Sequence, residues 1–455
     1  MNHTEKIDVR TLIDQQGMSA TQWLIIALCF GIVAADGIDV AIMGFLAPEI
    51  IADWGITKAA FGLIMGAAPF GLVFGALFAG PMSDRISRKT VLVTAVAIFG
   101  VLTLITAFSS NPTQMAILRF LTGIGLGAAM PNTTTLIAEF VPEKRKSFLI
   151  TVMFLGFAIG SAGVGFIAAY LTPLYGWHTV LMFGGILPLV LLPLLIVFLP
   201  ESVRFMLLKG QSQDKIRRTL NRISQQVLSP QAEFFCTEPV QSKKPLGVLF
   251  TPSYFKTTLA LWLTYFMGLL VIYLITSWLP TMMKDAGLSI KQAANITALF
   301  QTGGIIGALS TGWLMDTFKP TKIIAIGYAL GAACIVVLGM GGVLSSSLGV
   351  WVFAAGVCMN GAQTGLNAFA PTCYPTAARA TGVSWMQGMG RFGSILGSSI
   401  GGALVGMGWG FTGIIICLAI PALAAGAAVL MGKRIGDNNS HNTMTSAPSV
   451  TSKSL

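Results

Sequence analysis

Apolar runs of membrane-spanning length recur along the whole chain. A helix needs about 20 apolar residues to cross the hydrocarbon core of a bilayer. Twelve stretches meet that requirement: about 22–48, 58–80, 89–109, 113–137, 147–171, 178–199, 257–281, 292–315, 321–343, 348–370, 380–404 and 409–431. One long polar interval separates six runs from six, and a Ser/Thr/Asn-rich tail follows Met431. The pattern predicts an all-α membrane protein of twelve transmembrane helices in two six-helix bundles. Its parts are an N-terminal bundle over 1–199, a cytoplasmic central loop over 200–256, a C-terminal bundle over 257–431 and a disordered cytoplasmic tail over 432–455.

Composition supports this and excludes a soluble fold. The 455 residues are 54% hydrophobic and 10% charged, against about 45–50% apolar and about 25% charged in an ordinary soluble domain. The net charge of +11 would suit nucleic acid, but the cations are placed for another purpose. With the N-terminus inside, the inner segments hold Lys6, Arg10, Arg85, Arg88, Lys89, Lys144, Arg145 and Lys146, nine cations between Arg204 and Lys256, and then Lys319, Lys322, Arg379, Lys433, Arg434 and Lys453. The outer loops hold Lys58, Lys284 and Lys291. Lys and Arg concentrate on the cytoplasmic side, so both termini and the central loop are expected there, and no nucleic-acid partner is expected. The polar N-terminus lacks the pattern of a cleaved signal peptide. Six cysteines form no C-x-x-C or Cys/His cluster and read as small apolar residues. Three scattered histidines offer no metal or nucleophile constellation, so neither an enzyme nor a metal or cofactor site is expected. The central loop contains no signalling motif that would favour a receptor.

The two halves repeat. "GPMSD" at Gly80–Asp84 returns as "GWLMD" at Gly312–Asp316, and "GFAIGSAG" from Gly156 returns as "GRFGSILG" from Gly390. Pro142 after span four corresponds to Pro375 after span ten. Parallel repeats imply a pseudo-two-fold axis along the membrane normal, with a substrate site between the halves near the midplane. The glycines of spans five and eleven fit either sliding helices or any tight bundle.

Four charges lie well inside the spans: Asp36, Asp39, Arg119 and Arg391. Each costs roughly 2.5–3.5 kcal/mol on insertion scales and marks a functional site. Asp36 and Asp39 share a helix face by their i, i+3 spacing. At about 1.5 Å per residue, Asp39 and Arg119 differ in depth by only about 4–5 Å, so a contact between Arg119 and either acid is feasible. Arg391 has no acid at comparable depth in its own half. A guanidinium facing a cavity suits a carboxylate, which its planar fork binds bidentately. The alternative readings are a fixed ion pair for Arg119 and carbonyl hydrogen bonds for Arg391. A buried carboxylate favours its neutral form, which gives Asp39, the leading candidate, or Asp36 the capacity to carry a proton. Two acids and two arginines are formally neutral, so an anion entering with a proton preserves the balance.

Asn360, Gln363 and Asn367 form an i, i+3, i+7 polar face on span ten that Gln301 of span eight can join, either lining the cavity or bonding between packed helices. Span seven supplies Trp262, Tyr265, Phe266, Tyr273 and Trp278; one or two of these, Tyr265 among them, can stack on a flat ring. His178 at the outer end of span six reads as an ordinary interfacial residue.

"GPMSDRISRK" (80–89) resembles the loop signature of the major facilitator superfamily, with Ser87 in place of the usual glycine, and "PESVRF" (200–205) resembles its half-way signature. The resemblance gives Gly80, Asp84, Arg85 and Arg88, with Asp316 in the second copy, a role in conformational gating; a loop that only sets topology is the alternative. With "DGIDVAIMGFLAPEI", "RFLTGIGLGAAMPN" and "GRFGSILG", nearly the whole chain resembles the aromatic acid:proton symporters of that superfamily. This implies a bacterial inner-membrane carrier importing a benzoate- or hydroxybenzoate-type acid with a proton, and a monomer is expected. Asp36 and Asp39 would then be the essential span-one acids, and Arg119 and Arg391 the membrane arginines. Export of a drug or import of another organic acid is the alternative within transport.

Overall fold

The computed structural model describes residues 6–224, 228–229, 232–236, 245–343 and 345–431. The expected disordered tail, 432–455, lies outside the described residues. Spans one to four are the helices Ala20–Trp54, Lys58–Arg85, Arg88–Thr106 and Pro112–Phe140. Spans five and six share Glu143–Phe198, which is broken at Gly176, where φ is +78°. Spans seven to eleven are Pro252–Asp285, Ile290–Thr317, Pro320–Gly341, Leu348–Phe369 and Thr376–Gly406. Span twelve joins Phe411–Cys417 to Ala419–Val429.

Local sequence explains where these helices begin. Ser19 and Gln22 close a capping box on span one, and Ser289 and Gln292 close another on span eight; a hydroxyl that accepts an orphan N–H while the third residue reaches back satisfies two donors at once. Proline opens spans four, seven and nine, where its missing N–H costs nothing. Eight of the described helices are long and apolar enough to cross a membrane, and the 56-residue one holds two spans. Spans eight, ten and eleven are diluted by Gly, Ser, Thr and amide residues.

The repeat read from sequence reappears in the packing. Gly160 of span five sits against the Ala34 carbonyl of span one, and Gly393 of span eleven sits against the Phe266 carbonyl of span seven. A Cβ at either position would collide with backbone. The glycines of spans five and eleven therefore let each half close on itself, as small residues do between membrane helices.

The two halves meet at the end of the bundle where span one stops and span two begins. Gly44 touches the Thr276 carbonyl and Gly165 touches Ala298. Trp278, fully buried, donates its indole N–H to the Ser398 carbonyl at 2.7 Å and takes Phe61 edge-on. Two ion pairs cross the seam there: Lys58 with Asp285, and Lys284 with Glu49 at 2.9 Å. These are two of the three cations that the sequence placed in outer loops.

At the opposite end, the strand Lys6–Asp8 pairs in parallel with Glu233–Phe235 of the central segment. The helix Val9–Gln15 follows, and Arg10 donates to the Ala138 and Val141 carbonyls at the end of span four. Short helices Val203–Leu208, Gln213–Ile223 and Pro245–Leu249 complete the central segment. "PESVRF" is tied to the loop after span two. Glu201 accepts from the Ser87 hydroxyl, and Ser202 donates to Glu139, which also pairs with Arg88. Ser87 additionally caps span three by accepting from Thr90 N at 3.0 Å. The departure from glycine at this position thus supplies a cap and a link between segments.

Candidate functional site

Span one brings both acids to the interior, where Asp39 and Arg119 are each 1% exposed and Asp36 is 3% exposed. Asp39 is fully engaged. It accepts from both terminal nitrogens of Arg119, with Nη1 at 3.0 Å, and from the Thr103 hydroxyl at 2.6 Å. The Asp39 carbonyl accepts from Arg119 Nη2 at 3.2 Å. This is the bidentate geometry that makes Arg–carboxylate pairs strong. Of the two readings left open for Arg119, the geometry matches the fixed ion pair.

Asp36 differs. Among the described residues its Oδ1 has no hydrogen-bond partner. The strongest charge acting on it is Arg391, from the opposite half, ahead of neighbouring Asp39. Gly37 packs against the Phe157 carbonyl and Ser161 donates to the Gly37 carbonyl at 2.8 Å, which fixes the helix face on which Asp36 stands. Arg391 is half-buried and closes no salt bridge with a described carboxylate; its guanidinium stands by the Tyr273 hydroxyl without closing a hydrogen bond of ordinary geometry, and its charge reaches Tyr265. A small cavity between the halves is lined by Arg119, Tyr273, Met65, Ser277 and Ser398, among others.

The polar face of span ten divides. Gln363 and Asn367 flank the Tyr265 hydroxyl, whereas Asn360 turns back to the Gly356 carbonyl and packs on Gly304 of span eight. Gln301 donates to Thr276 of span seven at 3.1 Å. Asn360 and Gln301 thus join helix contacts and are not brought to the Arg391 cluster. Of the gating candidates, Arg88 is buried against Glu139 within its own half. Arg85 and Asp316 are exposed, and the side chains of Gly80 and Asp84 lie outside the described residues. His178 stacks on Trp177 at 3.6 Å.

Sequence reasoning missed Thr103 and Tyr328. Thr103 sits in an apolar run without any charge to flag it. Tyr328 did carry a signal: it is a phenol in the middle of a span, away from the interfaces where tyrosine collects.

The model of the Major Facilitator Superfamily matches residues 28–355 and 261–448. A gallate transporter of Pseudomonas putida is 52% identical over 446 residues, covering 98% of each chain. The chain belongs to the aromatic-acid transporters of this superfamily. The 4-hydroxybenzoate transporter PcaK of Pseudomonas putida is 48% identical over 429 residues, covering 94% of this chain and 96% of its own. A crystal structure of a D-xylose–proton symporter matches with a TM-score of 0.69 at 18% identity, covering 91% of this chain and 98% of that one. The twelve-span facilitator fold read from the sequence, and the resemblance to aromatic-acid carriers, both stand.

Proposed function

We propose that this transporter imports an aromatic carboxylate of the benzoate or hydroxybenzoate type together with a proton. It works as a monomer in a bacterial inner membrane, with both termini and the central loop in the cytoplasm. The observation that supports it most is Asp36, a buried carboxylate with an unpartnered oxygen, standing in the field of an arginine from the other half. The relatives named for gallate and 4-hydroxybenzoate support the substrate class.

Asp39 is already neutralised by Arg119, so the remaining pair is Asp36 and Arg391. When Asp36 is ionised it competes with a substrate carboxylate for Arg391. When it takes a proton, that competition ends and Arg391 is free for the anion. Substrate and proton therefore enter together and leave the site's charge unchanged. After release to the cytoplasm, the Asp36–Arg391 attraction is restored and favours the empty carrier's return. Once Asp36 is protonated, the charge of Arg391 also disfavours a cationic drug as cargo. The seam held by Lys58–Asp285 and Glu49–Lys284 is the outer gate in this orientation. The segment from Gly80 to Arg88, with Asp316 in the second half, is the inner counterpart.

The test is uptake of labelled 4-hydroxybenzoate and gallate by cells expressing the transporter, with and without a protonophore. Accumulation abolished by the protonophore is expected. Absence of accumulation for every aromatic acid tried, or accumulation indifferent to the protonophore, refutes the reading.

A further inference from the structure

We propose that Gln363, Asn367 and Tyr265 form a second recognition point that reads hydroxyl groups on the substrate ring, and that Tyr328 positions it. The inference rests on the reading of the cargo as an aromatic acid held at Arg391.

Gln363 and Asn367 are four residues apart on span ten and so share one face. Tyr328 of span nine is fully buried and donates its hydroxyl to Gln363 Oε1 at 2.5 Å. That bond consumes the acceptor of the amide and sets its orientation. Span seven locks the arrangement, because a Cβ on Gly268 would strike both Gln363 Oε1 and the Tyr328 hydroxyl. Gln363 Nε2 is left buried, approaching the Tyr265 hydroxyl without closing a hydrogen bond of ordinary geometry. Among the described residues, Asn367 Oδ1 is likewise buried without a partner. Buried polar atoms are normally satisfied, and exceptions call for an explanation.

The two orphans are complementary: one N–H donor and one carbonyl acceptor beside a phenol. A hydroxyl answers both, since it accepts from Gln363 and donates to Asn367. A second carboxylate does not, because it only accepts. Tyr265 links this point to Arg391. Its ring lies against Gly390, the residue before Arg391, and its hydroxyl faces the two amides. An aromatic acid with its carboxylate on Arg391 thus has its ring along Tyr265 and its hydroxyls toward span ten.

Equilibrium binding of benzoate, 4-hydroxybenzoate and 3,4,5-trihydroxybenzoate to the purified full-length carrier tests this. The wild type should bind the hydroxylated acids about 10- to 100-fold more tightly than benzoate, the span expected when a buried polar pair is left unmatched. Gln363→Met and Asn367→Leu should each remove most of that preference while leaving benzoate affinity in place. Retained benzoate binding also shows that the variants fold. Tyr328→Phe, which removes only the hydroxyl, should weaken the same preference without touching benzoate. A wild type that does not discriminate, or variants that weaken benzoate and hydroxybenzoates equally, overturn the inference alone. A wild type that binds no aromatic acid overturns the functional reading and the inference together.

Discussion

The sharpest consequence of the geometry is that the two span-one acids are not equivalent. Replacing Asp39 by Asn removes the charge that compensates Arg119 in a site where both side chains are 1% exposed. The carboxylate accepts from Arg119 twice and from Thr103 once, and an amide NH2 in its place would point a donor at one of those donors. Leaving one member of a buried pair uncompensated costs about 3–5 kcal/mol. Replacing Asp36 by Asn removes a carboxylate whose Oδ1 has no partner among the described residues, and the Arg391 it leaves behind is only half-buried, so the cost to the fold should be less than about 1 kcal/mol, the net worth of one ordinary hydrogen bond.

Two measurements separate these cases. Thermal unfolding in detergent can be followed by a thiol-reactive dye reporting on the buried Cys29 and Cys373. Asp39→Asn should unfold several degrees below the wild type, and Asp36→Asn within a degree or two of it, given about 2–4 °C per kcal/mol for smaller chains. In liposomes, Asp36→Asn should still exchange labelled for unlabelled substrate, because the uncharged amide imitates the protonated acid. It should no longer accumulate substrate in response to a pH gradient. The opposite pattern refutes the reasoning: a stable Asp39→Asn that exchanges without coupling, beside an Asp36→Asn that still accumulates.

Other expectations follow from single contacts. Lys58→Glu should repel Asp285 across the seam and favour the outward-open form, read as faster labelling of a cysteine placed at the outer face, and Lys58→Glu with Asp285→Lys should restore the wild-type rate. Gly71→Val should be poorly tolerated because its Cβ would meet the Phe120 carbonyl; overpacking of this kind costs about 1–3 kcal/mol and should show as a lower yield of folded protein. Ser87→Gly restores the superfamily residue yet loses a cap and the bond to Glu201, so it should lower thermal stability by about 1 kcal/mol, a few tenths from the cap and the rest from the hydrogen bond, without altering substrate affinity.

Much of the fold was legible because membrane helices obey a strong constraint, apolar length, which is a property of the linear chain. The repeat was legible for a related reason: Gly160 and Gly393, one place apart in the aligned motifs, each admit a neighbouring backbone. The N-terminal strand was not. Lys6–Asp8 pairs with Glu233–Phe235, more than 200 residues away, and a three-residue strand has no periodicity to detect. The break at Gly176 reads in the sequence as a boundary between runs, although the helix on either side bends there with only one residue at positive φ.

The site shows where sequence reading stops. It finds buried charge reliably, because charge in a membrane is costly and hence rare. It does not show which charges neutralise one another, because that depends on side chains carrying no charge at all. Thr103 helps to settle Asp39 into its pair with Arg119, and this leaves Asp36 as the acid able to respond to Arg391. The same holds across the site. Tyr328 turns Gln363, and Gly268 admits both, so a neutral phenol and a missing side chain decide which polar atoms are left without a partner among the described residues. Asp36 and not Asp39 is therefore the proposed proton carrier because of what surrounds each acid: Thr103 and Arg119 hold Asp39, while Asp36 stands in the field of Arg391.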